Sequence, residues 1–307
     1  MHILAEGLLF PEGPVALPDG SVLVVEVAGE AIRRVAPNGT VSLFATVPGA
    51  PNGLGVGPDG QLFLCNNGGL AWKRQPGRLM PLGQPAAYET GRIEVIGPEG
   101  GKPERLYDRC DGHALRAPND LVFDADGNFW FTDYGKKRDR DMDRGFVYWA
   151  RADGSEIRQV IGPMLSPNGI GLSPDGRTLY VAETETARLW AWEVVAPGRV
   201  DMLPFPSPHG GRLVCGMGGF NRLDSLAVTA SGRVCVAALH RGSVAEIDPA
   251  TGLFTDHVFP DTSVTNICFG GHDMRTAYVT LAHQGLLATT RWAEPGLRLA
   301  FQDLPPV

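Results

Sequence analysis

No apolar run in this 307-residue chain approaches the roughly 18 residues that a membrane-spanning helix needs. A helical membrane span is therefore not expected. No Lys/Arg cluster runs along any segment, and the net charge is −7. An acidic chain without a basic stripe lacks the phosphate contacts that supply most nucleic-acid affinity, so nucleic acid is not an expected partner. The first residues, "MHILAEGLLFPEG", carry neither a basic n-region nor an apolar h-region. No signal peptide is read, and a cytoplasmic location is expected. Cysteine is scarce: five residues, an odd number, with no CxxC pair. They read as reduced thiols used as small apolar side chains. Finally, no long segment shows the 3.6-residue apolar period of a helix.

Turn residues are abundant. Gly 40 and Pro 25 make up about a fifth of the chain, against roughly 12% in average usage. They are spread through the sequence, as in a many-stranded β protein. They also fall in a repeat. "PEGPVALPDG" returns as "PNGLGVGPDG", "PNDLVFDADG" and "PNGIGLSPDG", then more worn as "LDSLAVTASG" and "TNICFGGHDM". Each copy has a polar anchor, a short apolar run, usually a D-G or S-G turn, and a second strand such as "SVLVVEV" or "NFWFTDY". That grammar reads as a β-hairpin. Six copies, 40 to 67 residues apart, predict a six-bladed β-propeller, all-β, with four-stranded antiparallel blades around a central channel. The whole chain, 1–307, reads as one such domain, with "HILAEG" adding a strand to the last blade and closing the ring. Two insertions, Leu70 to Tyr88 and Asp201 to Arg222, are long enough to cover one mouth of the ring or to be tolerated surface loops.

The anchors, in order, are Glu12, Asn52, Asn119, Asn168, Asp224 and Asn266. If each opens an innermost strand, six oxygen-bearing side chains converge on one mouth of the channel. Buried polar groups need partners, and a bound cation satisfies several at once. Two carboxylates and several amide carbonyls, with no Cys or His, suit a hard divalent ion such as Ca²⁺, Mg²⁺ or Mn²⁺. Glu12 and Asp224 together balance a 2+ charge. Asn52 and Asn266 also read as turn-forming residues.

At this point "FPEGP", "PNDLVFDADGNFWFTDYG", "SPNGIGLSPDGRTLYVAET" and "TNICFGG" together resemble the SMP-30/gluconolactonase/LRE family of six-bladed propeller hydrolases. The resemblance implies a metal site at Glu12, Asn168 and Asp224. It implies for Asn119 either a substrate contact or a fourth metal ligand. The implied ion is Ca²⁺, with Mg²⁺, Mn²⁺ or Zn²⁺ as alternative occupants. The implied activity is opening of a small-molecule lactone. The sequence departs from the family twice. Animal-type gluconolactonases carry Arg two residues before the asparagine, where this chain has Ala117, with Arg116 one residue further away. The fifth-blade motif is Leu223-Asp224-Ser225 in place of "PDG".

The expected chemistry is hydrolysis of an ester carbonyl polarised by the cation, with Asp224 as general base for the attacking water. Candidate substrate contacts are Asn52 and Asn119, His113 and Arg116 in "CDGHALRAPND", and Tyr134; His240 and His283 end second strands. Asp120 reads as support for Asn119. The run Lys136 to Arg144, "KKRDRDMDR", reads as a solvated loop. The same site chemistry also suits an organophosphate or other ester hydrolase, and a metal-binding regulatory propeller without turnover is the third reading.

Overall fold

A computed structural model describes residues 1–76 and 78–303. Its strands form a six-bladed β-propeller. The six innermost strands are Pro11–Ala16, Pro51–Val56, Pro118–Phe123, Pro167–Leu172, Arg222–Val228 and Val264–Gly270. Each is hairpinned to the second strand of its blade: Val22–Glu26, Leu62–Asn66, Asn128–Asp133, Thr178–Glu183, Val234–Leu239 and Thr276–Leu281. These are the two strands expected in each repeat. The described residues contain no α-helix, only a short 3₁₀ turn at Pro58–Gly60. No helix among them is long and apolar enough to cross a membrane.

The ring closes through its first residues. His2–Ala5 pairs antiparallel with Leu286–Arg291, the third strand of blade six, with His2 opposite Thr289. The last blade is thus built from both ends of the chain, and its outer edge is covered.

Between blades the core is apolar and aromatic. Phe63 of blade two meets Phe123 of blade three edge-on, with ring centroids 5.0 Å apart. Phe131 stacks on Tyr148 at 5.0 Å. Trp130 and Trp149 face each other across neighbouring strands and are fully buried. At the far mouth of the channel the C-terminal segment lies across the inner strands. Leu297 N donates to Val228 O at 2.8 Å, and Gln302 Nε2 donates to Phe269 O at 2.9 Å.

One irregularity recurs. Every inner strand breaks register beside its anchor, for example between Glu12 and Val15, Pro118 and Leu121, and Leu223 and Leu226. A bulge of this kind re-aims side chains and sharpens twist. It turns the anchors toward the channel. In three blades a glycine follows the anchor. A Cβ on Gly13 would lie 2.3 Å from Asn52 O, one on Gly53 2.6 Å from Asn119 O, and one on Gly169 2.7 Å from Asp224 O. Glycine lets neighbouring inner strands approach closely around the axis.

The insertions differ in placement. Within 70–88, Ala71–Gln75 and Arg78–Gly83 form their own hairpin, which folds over the near mouth. Residues 201–211 instead lie at the outside of blade four, where His209 packs against Trp190 and Trp192.

Candidate metal centre and substrate cavity

All six anchors are buried. Five of them, Glu12, Asn52, Asn119, Asn168 and Asp224, line one cavity of about 470 Å³ at the near mouth. The sixth, Asn266, supports the first: its Nδ2 donates to Glu12 Oε2 at 3.0 Å. Gly13 N donates to the same oxygen at 3.0 Å. Asn168 is fixed by a relay, with its Nδ2 donating to Thr184 Oγ1 at 3.2 Å and Thr184 Oγ1 donating to Leu223 O at 2.7 Å.

The loops that deliver the anchors are held by buried acids at the ends of second strands. Glu26 Oε1 accepts from Leu9 N at 3.0 Å. Asp133 accepts from Arg116 N at 2.7 Å and Ala117 N at 2.6 Å. Glu183 Oε1 accepts from Leu165 N at 2.7 Å. Each carboxylate pins the approach to its own blade's anchor, so the anchors sit on tied backbone.

The electrostatics at the channel are strained. Burial pushes Glu12 up to about 7, against the donors Asn266 and Gly13. Burial first, and then the nearby charge of Glu12, pushes Asp120 up to about 7. Asp224 is raised well above the usual carboxylate range by burial and by Glu12, while Asn168 favours its ionised form. Three carboxyl groups thus share a poorly solvated space.

The fit to a cation rests on unpaired acceptors. Asn52 Oδ1 and Asn119 Oδ1 are buried and lack any hydrogen-bond partner among the described residues. Such orphaned carbonyls are costly, and both residues border the cavity that also holds Glu12 and Asp224. No three His, Cys, Asp or Glu side chains among the described residues group at metal-ligand spacing. The donor set is therefore mixed carboxylate and amide oxygen, which suits a hard divalent ion.

Residues 10–283 match the profile of the SMP-30/Gluconolactonase/LRE-like region. The chain belongs to this family. It is similar to the gluconolactonase of Zymomonas mobilis, at 22% identity over 95% of this chain and 81% of that protein. It is also similar to lactonase drp35 of Staphylococcus saprophyticus, at 28% identity over 78% of this chain and 64% of that protein. Among solved structures it resembles the calcium-binding protein regucalcin from Agrobacterium tumefaciens, with TM-score 0.72, 18% identity and 97% of each chain covered. That last likeness speaks to the fold.

The structure of this SMP-30/gluconolactonase-type chain brings some sequence candidates together and separates others. Tyr134, His240 and His283 line the cavity with the anchors. His113 and Arg116 do not. His113 sits exposed in a two-residue ladder opposite Cys110. The Arg116 backbone is captured by Asp133, and its half-exposed side chain turns toward Asp143 at 3.9 Å. The tie that aims Asn119 inward leaves Arg116 outside. Lys136 corrects the reading of Lys136–Arg144 as solvated. It is 2% exposed and borders the cavity, as does Lys137. The run does behave as a solvated face from Arg138 onward, where Arg138 pairs with Asp143 at 2.7 Å. The available signal was position: Lys136 follows the end of a second strand by only three residues, at the channel mouth.

Proposed function

We propose that this protein hydrolyses a lactone at a divalent-cation site formed by Glu12, Asn168, Asp224 and Asn119. The observation that carries the reading is the pairing of two buried carboxylates with unpaired amide carbonyls at one cavity. The gluconolactonase and lactonase relatives support it, and the calcium-binding regucalcin fold supports Ca²⁺ as the ion. A bound divalent cation supplies Lewis acidity toward the ester carbonyl and offsets the charge of the tetrahedral oxyanion.

The chain's own residues do the rest. Asp224 accepts a proton from the attacking water. A hydrogen bond from Asn168 favours its ionised, proton-accepting form. Glu12, fixed by Asn266 and Gly13, stays in place as a ligand. Asn52 and Tyr134 offer polar contacts to substrate hydroxyls from the cavity wall. The hairpin residues Met80, Pro81 and Leu82 border the cavity and limit its contact with bulk water.

The test is a panel of aldonolactones, aromatic lactones and a fluorophosphate, assayed with and without chelator. Chelator-sensitive turnover of an aldonolactone is expected. Turnover of the fluorophosphate alone, or of no member of the panel, overturns the reading.

A further inference from the structure

Lactone opening at the anchors gives no role to Lys136. Its ammonium group donates to Asn67 Oδ1 at 2.9 Å and Gly69 O at 2.7 Å, and lies 4.8 Å from the centre of the Tyr88 ring. Both hydrogen-bond acceptors are neutral. The two carboxylates whose charge it feels, Asp133 and Asp143, are engaged elsewhere. Asp133 accepts three backbone N–H groups, and Asp143 pairs with Arg138. An ammonium has three donors, and among the described residues two are used. A buried charge without a counter-ion is costly, and burial accordingly pulls Lys136 down to about 7.

The same cavity holds a second cationic excess. Lys137 and Arg222 both border it, and both pair with one carboxylate, Glu185. Two positive charges share one negative charge there. His240 and His283 border it too, and burial pulls both below the usual histidine value. The cavity therefore has a carboxylate and amide region at the anchors and a separate cationic wall at Lys136, Lys137 and Arg222.

We propose that the substrate carries, away from the reacting ester, an oxyanion that Lys136 binds through its free N–H. The chemistry is shared by a carboxylate, a phosphate and a sulfonate, so an aldarolactone, a phosphorylated lactone and a sulfonated lactone are the three sources. This rests on the lactonase reading and narrows its substrate class. Lys137 and Arg222 supply the longer-range attraction.

The test compares gluconolactone, which is neutral, with glucarolactone, phosphogluconolactone and sulfogluconolactone, in the wild type and in Lys136→Met. A hydrogen bond to a charged group supports discrimination of about 10- to 100-fold. The wild type is expected to favour at least one anionic lactone in kcat/KM by at least about 10-fold, and the arm that wins identifies the anion. In Lys136→Met the ratio of anionic to neutral kcat/KM is expected to fall by a similar factor. A wild-type ratio at or below unity, or a ratio unchanged in Lys136→Met, overturns the proposal; a lysine that only ties down Gly69 would lower both activities together. Because Lys136→Met can fail to fold, calorimetry on the wild type reads the same claim with the ring-opened acids. Glucarate, phosphogluconate or sulfogluconate should bind at least about 10-fold tighter than gluconate, and the advantage should shrink as salt is raised. Equal affinities contradict it. If no lactone is hydrolysed while the calorimetric preference holds, the lactonase reading fails and the anion subsite stands.

Discussion

Glu12 illustrates what a single residue owes to a distant one. Its Oε2 is held by Asn266, 254 positions away in sequence and adjacent across the ring closure. Partners that orient a metal ligand typically change metal affinity 10- to 100-fold when removed. Asn266→Ala is expected to weaken divalent-cation affinity by about that factor, read by calorimetry, with little change in the blade. An unchanged affinity would mean that Gly13 alone fixes Glu12. Asp224→Asn should lower kcat by about 10²- to 10⁴-fold, the range for loss of a general base. A kcat within threefold of wild type would remove Asp224 from that role. That Glu12 is the one glutamate among the anchors was legible in the sequence, because comparison of the six repeats exposes it. The roles of Asn266 and Lys136 were not. Asn266 looks like a turn former until the ring closes beside it. Lys136 opens a charged run, and it is buried because its ammonium reaches Asn67 and Gly69 in the neighbouring blade.

At the scale of the strand and the loop, a bulge and a glycine build the site. The glycine after the anchor was visible in the repeat, but its reason was not: the next inner strand passes where a Cβ would sit. In blade three Asp120 occupies that place and becomes a third buried carboxyl at the channel. Gly53→Ala would put a Cβ 2.6 Å from Asn119 O and 2.7 Å from Asp120 Cα. Overpacking of this kind costs about 1–3 kcal/mol, so thermal unfolding should shift down by several degrees. Gly218→Ala, with nothing within 4 Å of the added Cβ, should stay within about 0.5 kcal/mol of wild type. Equal shifts in the two variants would contradict the close-approach argument. The insertions show the opposite limit of sequence reading. Their length marked both, yet the hairpin in 70–88 folds over the cavity, while 201–222 reaches it only at its last residue, Arg222. The segment 201–211 is drawn to the outside of blade four by His209 against two tryptophans.

For the whole molecule, the ring gathers Glu12, Asp120 and Asp224 from three blades into one poorly solvated space. Glu12 and Asp120 are each pushed up to about 7 by burial. Carboxyls with raised folded pKa values bind more protons in the native state than in the unfolded chain between about pH 4.5 and 7. Stability without a cation should therefore fall as pH rises through that window. A cation that binds the ionised groups should restore it, more at pH 8 than at pH 5. Thermal unfolding of chelated and cation-loaded protein at both pH values checks this, and a cation-induced shift that is equal at the two would count against it.

The ring, the anchor register and the closing first strand were legible in the sequence because the repeat carries them. The cationic wall was not, since it is assembled from residues of different blades that no local pattern links. The most direct measurement of the central claim is lactone turnover by protein stripped with chelator and then titrated with Ca²⁺. Activity should vanish on stripping and return with one equivalent of ion per chain. Turnover that survives stripping, or that fails to return although the ion binds, would contradict a catalytic cation at Glu12, Asn168, Asp224 and Asn119.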